Sequence, residues 1–202
     1  MIIDIFIPTI RSEDKIRQTL DSLNATIIPS GITLNTHIIR TGNSYAEAIN
    51  ETFKKTNGEW FFCGADDLRF EPDWLEKLIP HMKDYDVLGT NDLHHPAVLE
   101  GKYATHFLVS RKYIDEHGGT FTGDKGFVYY SYKHNFTDTE LVYKAMVLRR
   151  FIAVKDSVVE HCHPTWGRGQ MDEGYKKSLD TMADDQTVFN KRLMDFSKKD
   201  VK

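Results

Sequence analysis

The chain opens on MIIDIFIPTI, and residues 2–10 of that run are almost all apolar and rich in isoleucine. A strand with one wet face alternates apolar and polar residues. A run without alternation is buried on both faces, as in the interior of a parallel sheet. The rest of the first third fits that reading. Ser12 precedes Glu13 and Asp14, acidic residues that favour a helix start, and Ile16, Leu20 and Leu23 fall on one helical face. THIIR (36–40) reads as a second strand, and SYAE (44–47) has the Ser-x-x-Glu form of a capping box, opening a helix to about Lys55. EWFFCGA (59–65) reads as a third strand. Strand, helix, strand, helix, strand is the pattern of right-handed βαβ units, so the expected class is α/β with a mostly parallel central sheet flanked by helices.

Further along, EPDWLEKLIPHM predicts a helix near Pro72, and DVLGT (86–90) and THFLVS (105–110) predict strands. RKYIDEHGG (111–119) predicts a short helix closed by Gly118 or Gly119. FVYYSYKHNF (127–136) is an aromatic segment. Thr137 and Glu140 have the spacing of a second capping box at the head of TDTELVYKAMVLRR. FIAVKDSVVEHCHP (151–164) suggests two short strands, and a C-terminal helix is expected from Met171. No repeat or linker divides the chain, so residues 1–202 are expected to form a single domain.

Composition narrows the setting. The chain is 40% hydrophobic and 28% charged, with no apolar stretch of membrane-spanning length and no signal-peptide start, which predicts a cytoplasmic protein. Cys63 and Cys162 are too few for a disulfide scaffold and are not paired as zinc ligands are. A net charge of −4 gives no overall attraction to nucleic acid.

The chemistry-bearing residues gather where strands are predicted to stop. Asp66 and Asp67 stand side by side after the third strand. Two readings apply: a turn, which Asp favours, or a cation and the phosphates it holds in the crevice beyond the carboxyl ends of the strands. Thr9 and Arg11 follow the first strand and Arg40, Thr41, Gly42 and Asn43 the second; they are either solvated loop residues or a phosphate-binding edge. Asp138 falls at the second position of a helix, where an anion stabilises the helix with or without a chemical role. His161 and His163, two apart on a strand, would share a face, from which one could ligate a metal beside the Asp pair.

The order PTIR, NSYAEAIN, ADDLRFEPDWL, TDTEL and HCHP resembles the GT-A glycosyltransferases of the family 2-like group, over about residues 2 to 165. FLVSRKYIDEHGG is similar to that family's stretch leading into the acceptor region. The resemblance implies a GT-A, Rossmann-like domain that moves a sugar from a nucleotide-sugar donor to an acceptor hydroxyl, with inversion, using Mn²⁺ or Mg²⁺. It implies that Asp67 binds the metal and that Asp66 holds the donor ribose or shares the metal. Asp138 would be the base, and His161, or else His163, a further ligand. Thr9, Arg11 and Arg40 would border the nucleotide. The family's acidic pair after the second strand is replaced here by Arg40-Thr41-Gly42-Asn43, and Ala65 stands at the first place of the acidic motif.

The rivals are a nucleotidyltransferase, whose glycine-rich loop PTIRSED lacks, and a non-catalytic nucleotide-sugar-binding module, which would not need Asp138. The aromatic run FVYYSY and Trp166 are either core residues or a stacking platform for an acceptor. The acceptor itself, whether glycan, protein, small molecule or modified DNA base, has no signature in the sequence.

Overall fold

In the computed structural model, which describes residues 1–40, 42–123 and 126–199, the first strand β1 (Ile2–Pro8) lies inside one seven-stranded sheet. The remaining strands are β2 (Thr33–Ile39), β3 (Trp60–Cys63), β4 (Leu68–Phe70), β5 (Val87–Asn91), β6 (Phe107–Ser110) and β7 (Phe151–His161). Their order across the sheet is β2-β1-β3-β6-β5-β7-β4. β1 pairs in parallel with β2 and β3, and β5 in parallel with β7, whereas β6 and β4 run antiparallel to their neighbours. The expected βαβ units are therefore present, and the sheet as a whole is mixed. Thr41 of the second strand's loop lies outside the described residues.

Helices cover both faces, and the side chains of each strand alternate between them as the pleat requires. On one face Ile3, Ile5, Ile7, Trp60, Phe62, Leu88 and Leu108 pack with α1 (Glu13–Asn24) and α3 (Trp74–Leu78). On the other, Phe6, Phe61, Phe107 and Val109 pack with α2 (Tyr45–Lys55), α5 (Arg111–His117) and α6 (Thr137–Val147). Phe62, Phe70 and Trp74 meet at ring-centroid distances of 4.9 to 5.5 Å, and Trp74 Nε1 donates to Thr26 Oγ1 at 3.0 Å, so the buried indole is satisfied. α4 (Pro96–Leu99) is a single turn, and α7 (Glu173–Lys199) is the expected C-terminal helix.

Two local expectations change. Residues 151–161 form one long strand, not two, because β7 passes from β5 to β4 through a register irregularity opposite Gly89–Asn91. The capping box at Thr137 does not form: Phe136, at φ 67°, precedes α6 without a side-chain cap. Glu140 turns instead into a buried cluster, accepting from Phe121 N at 2.7 Å, Tyr132 Oη at 2.7 Å and Arg192 Nη2 at 2.6 Å. That cluster ties α7 to α6. The capping box at Ser44 does form in part: Ser44 Oγ accepts from Glu47 N at 3.1 Å, while Glu47 reaches Asn43 N. Finally, the aromatic segment carries no strand or helix. It is held by the buried Asn50, whose Oδ1 accepts from Phe127 N and Val128 N and whose Nδ2 donates to Val128 O.

Candidate functional site

β2, β1, β3, β5 and β7 all point the same way, and the residues that follow them form one cluster. The loop after β3 is fixed by its backbone: Gly64 N donates to Phe6 O at 3.0 Å, and Cys162 N donates to Asp67 O at 2.8 Å. A Cβ on Gly64 would stand 2.8 Å from Phe6 O, so this close approach to β1 requires glycine. Thr19 Oγ1, on α1, donates to Asp66 O and accepts from Leu68 N.

The two aspartates part company. Asp66 gives both carboxylate oxygens to its own protein, one to the Thr9 hydroxyl and one to the Arg11 guanidinium. Burial raises its carboxyl, against the pull of Thr9 and Arg11. Asp67 faces the end of β7. The β4–β7 pairing sets Leu68 opposite His161, and His161 Nε2 stands 3.2 Å from Asp67 Oδ2. Burial would raise the Asp67 carboxyl, but the hydrogen bond and charge of His161, with the hydroxyl of Tyr175, hold it well below the ordinary carboxylate range. Burial likewise disfavours the charged His161, and Asp67, aided by the charges of Asp92 and Asp138, more than reverses this and raises its pKa.

His163 lies beyond the strand, not on it. Its Nδ1 accepts from Thr165 N at 3.1 Å and its ring lies 5.1 Å from that of His161, so it is His161, at 3.2 Å, that reaches the Asp67 carboxylate. Arg11 Nε also bonds Asp172 at 2.7 Å, and Arg40 donates to the Arg11 carbonyl. Thr9, Arg11, Arg40, Asp66, Asp67 and His161 are thus brought together. Asp138 approaches from the head of α6: its Oδ1 accepts from Thr139 N at 2.8 Å and its Oδ2 from the hydroxyl of Tyr103. Burial and the Asp138 charge push the Tyr103 phenol far up, so it stays a neutral donor.

Four participants had no legible signal in the sequence: Tyr103, His106, Asp172 and Tyr175. His106 is buried, with Nδ1 against Cys63 O at 3.2 Å and its ring 4.8 Å from that of His161. The carbonyl fixes the proton on Nδ1, leaving Nε2, which has no hydrogen-bond partner, as a lone pair. Burial, helped by the charge of His161, lowers its pKa to about 4, so the ring is neutral.

No group of three His, Cys, Asp or Glu side chains among the described residues is arranged to hold an ion unaided. The Asp67–His161 pair nevertheless fits a shared cation. Two adjacent ligands, each about 2.1 Å from one ion, are about 3 Å apart, and the observed separation is 3.2 Å.

Residues 33–152 match the model of glycosyl transferase family 2. The chain belongs to that family. Solved structures of other proteins share its fold at low identity. S. aureus TarS (residues 1–349) has a TM-score of 0.58 at 11% identity, over 79% of this chain and 59% of that one. The mannosyltransferase PcManGT from Pyrobaculum calidifontis, in complex with GDP-Man and Mn²⁺, has a TM-score of 0.58 at 16% identity, over 80% of this chain and 57% of that one. Glucosyl-3-phosphoglycerate synthase from Mycobacterium tuberculosis, in complex with Mn²⁺, UDP and phosphoglyceric acid, has a TM-score of 0.59 at 11% identity, over 96% of this chain and 78% of that one. This family 2 chain therefore spans less than two thirds of the first two of these structures. Comparison with curated proteins gives no match. No helix among the described residues is long and apolar enough to cross a membrane.

Proposed function

We propose that this family 2 chain transfers a sugar from a nucleotide-sugar donor to an acceptor hydroxyl, with a divalent cation held by Asp67 and His161. The observation that carries the reading is the 3.2 Å approach of His161 Nε2 to Asp67 Oδ2 at the carboxyl ends of the strands. Mn²⁺ suits a site of one carboxylate and one imidazole better than Mg²⁺, which takes oxygen ligands. Bound there, the ion would neutralise charge on the departing diphosphate.

The chain's own groups supply the rest. Arg11 and Arg40 give positive charge at the donor edge, and Asp66 with Thr9 orients Arg11. Asp138 accepts the proton of the acceptor hydroxyl as that oxygen bonds the anomeric carbon and the diphosphate departs. Tyr103, hydrogen-bonded to Asp138, positions the carboxylate. Attack from the face opposite the diphosphate inverts the anomeric centre.

A panel of UDP- and GDP-sugars, each with Mn²⁺, tests the reading by thermal shift and by slow donor hydrolysis. One donor is expected to raise Tm only when Mn²⁺ is present, since a ligand stabilises in proportion to ln(1 + [L]/Kd). The absence of any Mn²⁺-dependent shift across the panel would count against it.

A further inference from the structure

The hydroxyl of Tyr175, on the first turn of α7, donates to Asp67 Oδ2, the oxygen that His161 also faces. Several contacts fix this ring. The Arg11 guanidinium lies over it, 4.6 Å from the centroid, and His163 meets it edge-on at 4.6 Å. Tyr175 N donates to Asp172 Oδ1, and Asp172 Oδ2 accepts from Arg11 Nε. A phenol from a helix remote in sequence and a guanidinium from the loop after β1, both donors, thus converge on the tip of β3.

A cation shared by Asp67 and His161 draws electron density from Oδ2 and weakens it as an acceptor for the phenol. A better acceptor beside Oδ2, within about 3 Å of the hydroxyl, would then draw the phenol proton to itself. Oxygens sharing the same cation lie beside Oδ2, and in a nucleotide complex they belong to the diphosphate. We infer that Tyr175 is a further donor-binding residue, whose hydroxyl passes from Asp67 to a diphosphate oxygen when cation and nucleotide bind. Arg11, over its ring, would face the same charge. This assignment rests on the donor reading above.

Tyr175→Phe keeps the ring, its contact with Arg11 and its edge to His163, and removes one oxygen. Calorimetry on the full chain, with Mn²⁺ alone, then Mn²⁺ with UDP, GDP or inorganic pyrophosphate, separates the possibilities. Mn²⁺ alone is expected to bind the variant at least as tightly as the wild type, because a competing proton donor is gone. The preferred nucleotide and pyrophosphate are both expected to bind about ten- to a hundredfold more weakly, the usual loss for a hydrogen bond to a charged group. Unchanged or tighter nucleotide binding in the variant would overturn the assignment alone. So would a loss for the nucleotide without one for pyrophosphate, because the hydroxyl would then serve the nucleoside. A wild type that binds no nucleotide with Mn²⁺ would overturn the donor reading and this assignment with it.

Discussion

Asp67 and His161 meet because the short strand β4 pairs antiparallel with the end of β7, Leu68 opposite His161. If this pair holds the cation, Asp67→Ala leaves one imidazole, too little for a hard ion. Mn²⁺-dependent nucleotide binding is expected to fall below detection in calorimetry, while binding without Mn²⁺ is unchanged. A variant that keeps its Mn²⁺ dependence would show that the ion sits elsewhere.

Asp138→Asn tests the base. The amide still accepts from Tyr103 and is nearly isosteric, so nucleotide affinity is expected to stay within about twofold. Turnover is expected to drop about a hundred- to ten-thousandfold, the usual worth of a general base. Near-normal turnover would return Asp138 to a helix-start role.

Asn50 is a structural test remote from the chemistry. It is 1% exposed and satisfies two backbone amides and one carbonyl of the 127–128 segment. Asn50→Leu strands these groups at a combined cost of about 3 kcal/mol, or roughly 6–12 °C in Tm. Differential scanning calorimetry reads this directly, and a shift under about 2 °C would mean that water or a rearranged loop replaces the amide.

Acid should act on Glu160. Its side chain is 2% exposed and faces His94 Nε2 at 3.1 Å, Arg168 Nε at 2.8 Å and Arg69 Nη2 at 2.7 Å. Burial would raise its carboxyl, but His94, Arg168 and Arg69 outweigh burial and lower it from the ordinary value of 4.5. A carboxyl lower in the folded than in the unfolded chain stabilises above the unfolded value and loses that contribution as pH falls through the folded one. Urea midpoints are therefore expected to decline below about pH 4.5, and Glu160→Gln to be less stable at neutral pH with a shallower decline. Parallel curves for the two proteins would exclude Glu160 as a source of the slope.

The strands and helices of the first third were legible because burial on two faces and helical spacing are local properties of the chain. Asp67 and Asp138 could be picked out because their neighbours set the element ends on which they stand. Tyr103, His106 and Tyr175 could not, since each reaches the cluster through pairings between distant segments, and one aromatic among many carries no local mark. The Thr137–Glu140 spacing misled for a related reason. Glu140 is drawn away from the helix start by Arg192, a partner 52 positions on.

The attachment of α7 has a practical corollary for anyone trimming this chain. Ending it after Gln170 would remove Asp172 from Arg11, Tyr175 from Asp67 and Arg192 from the interior Glu140. The last loss takes the counter-ion from a carboxylate that is buried in the intact chain, and breaking a buried pair commonly costs several kcal/mol. The shortened polypeptide should accumulate in inclusion bodies, so α7 is best kept whole.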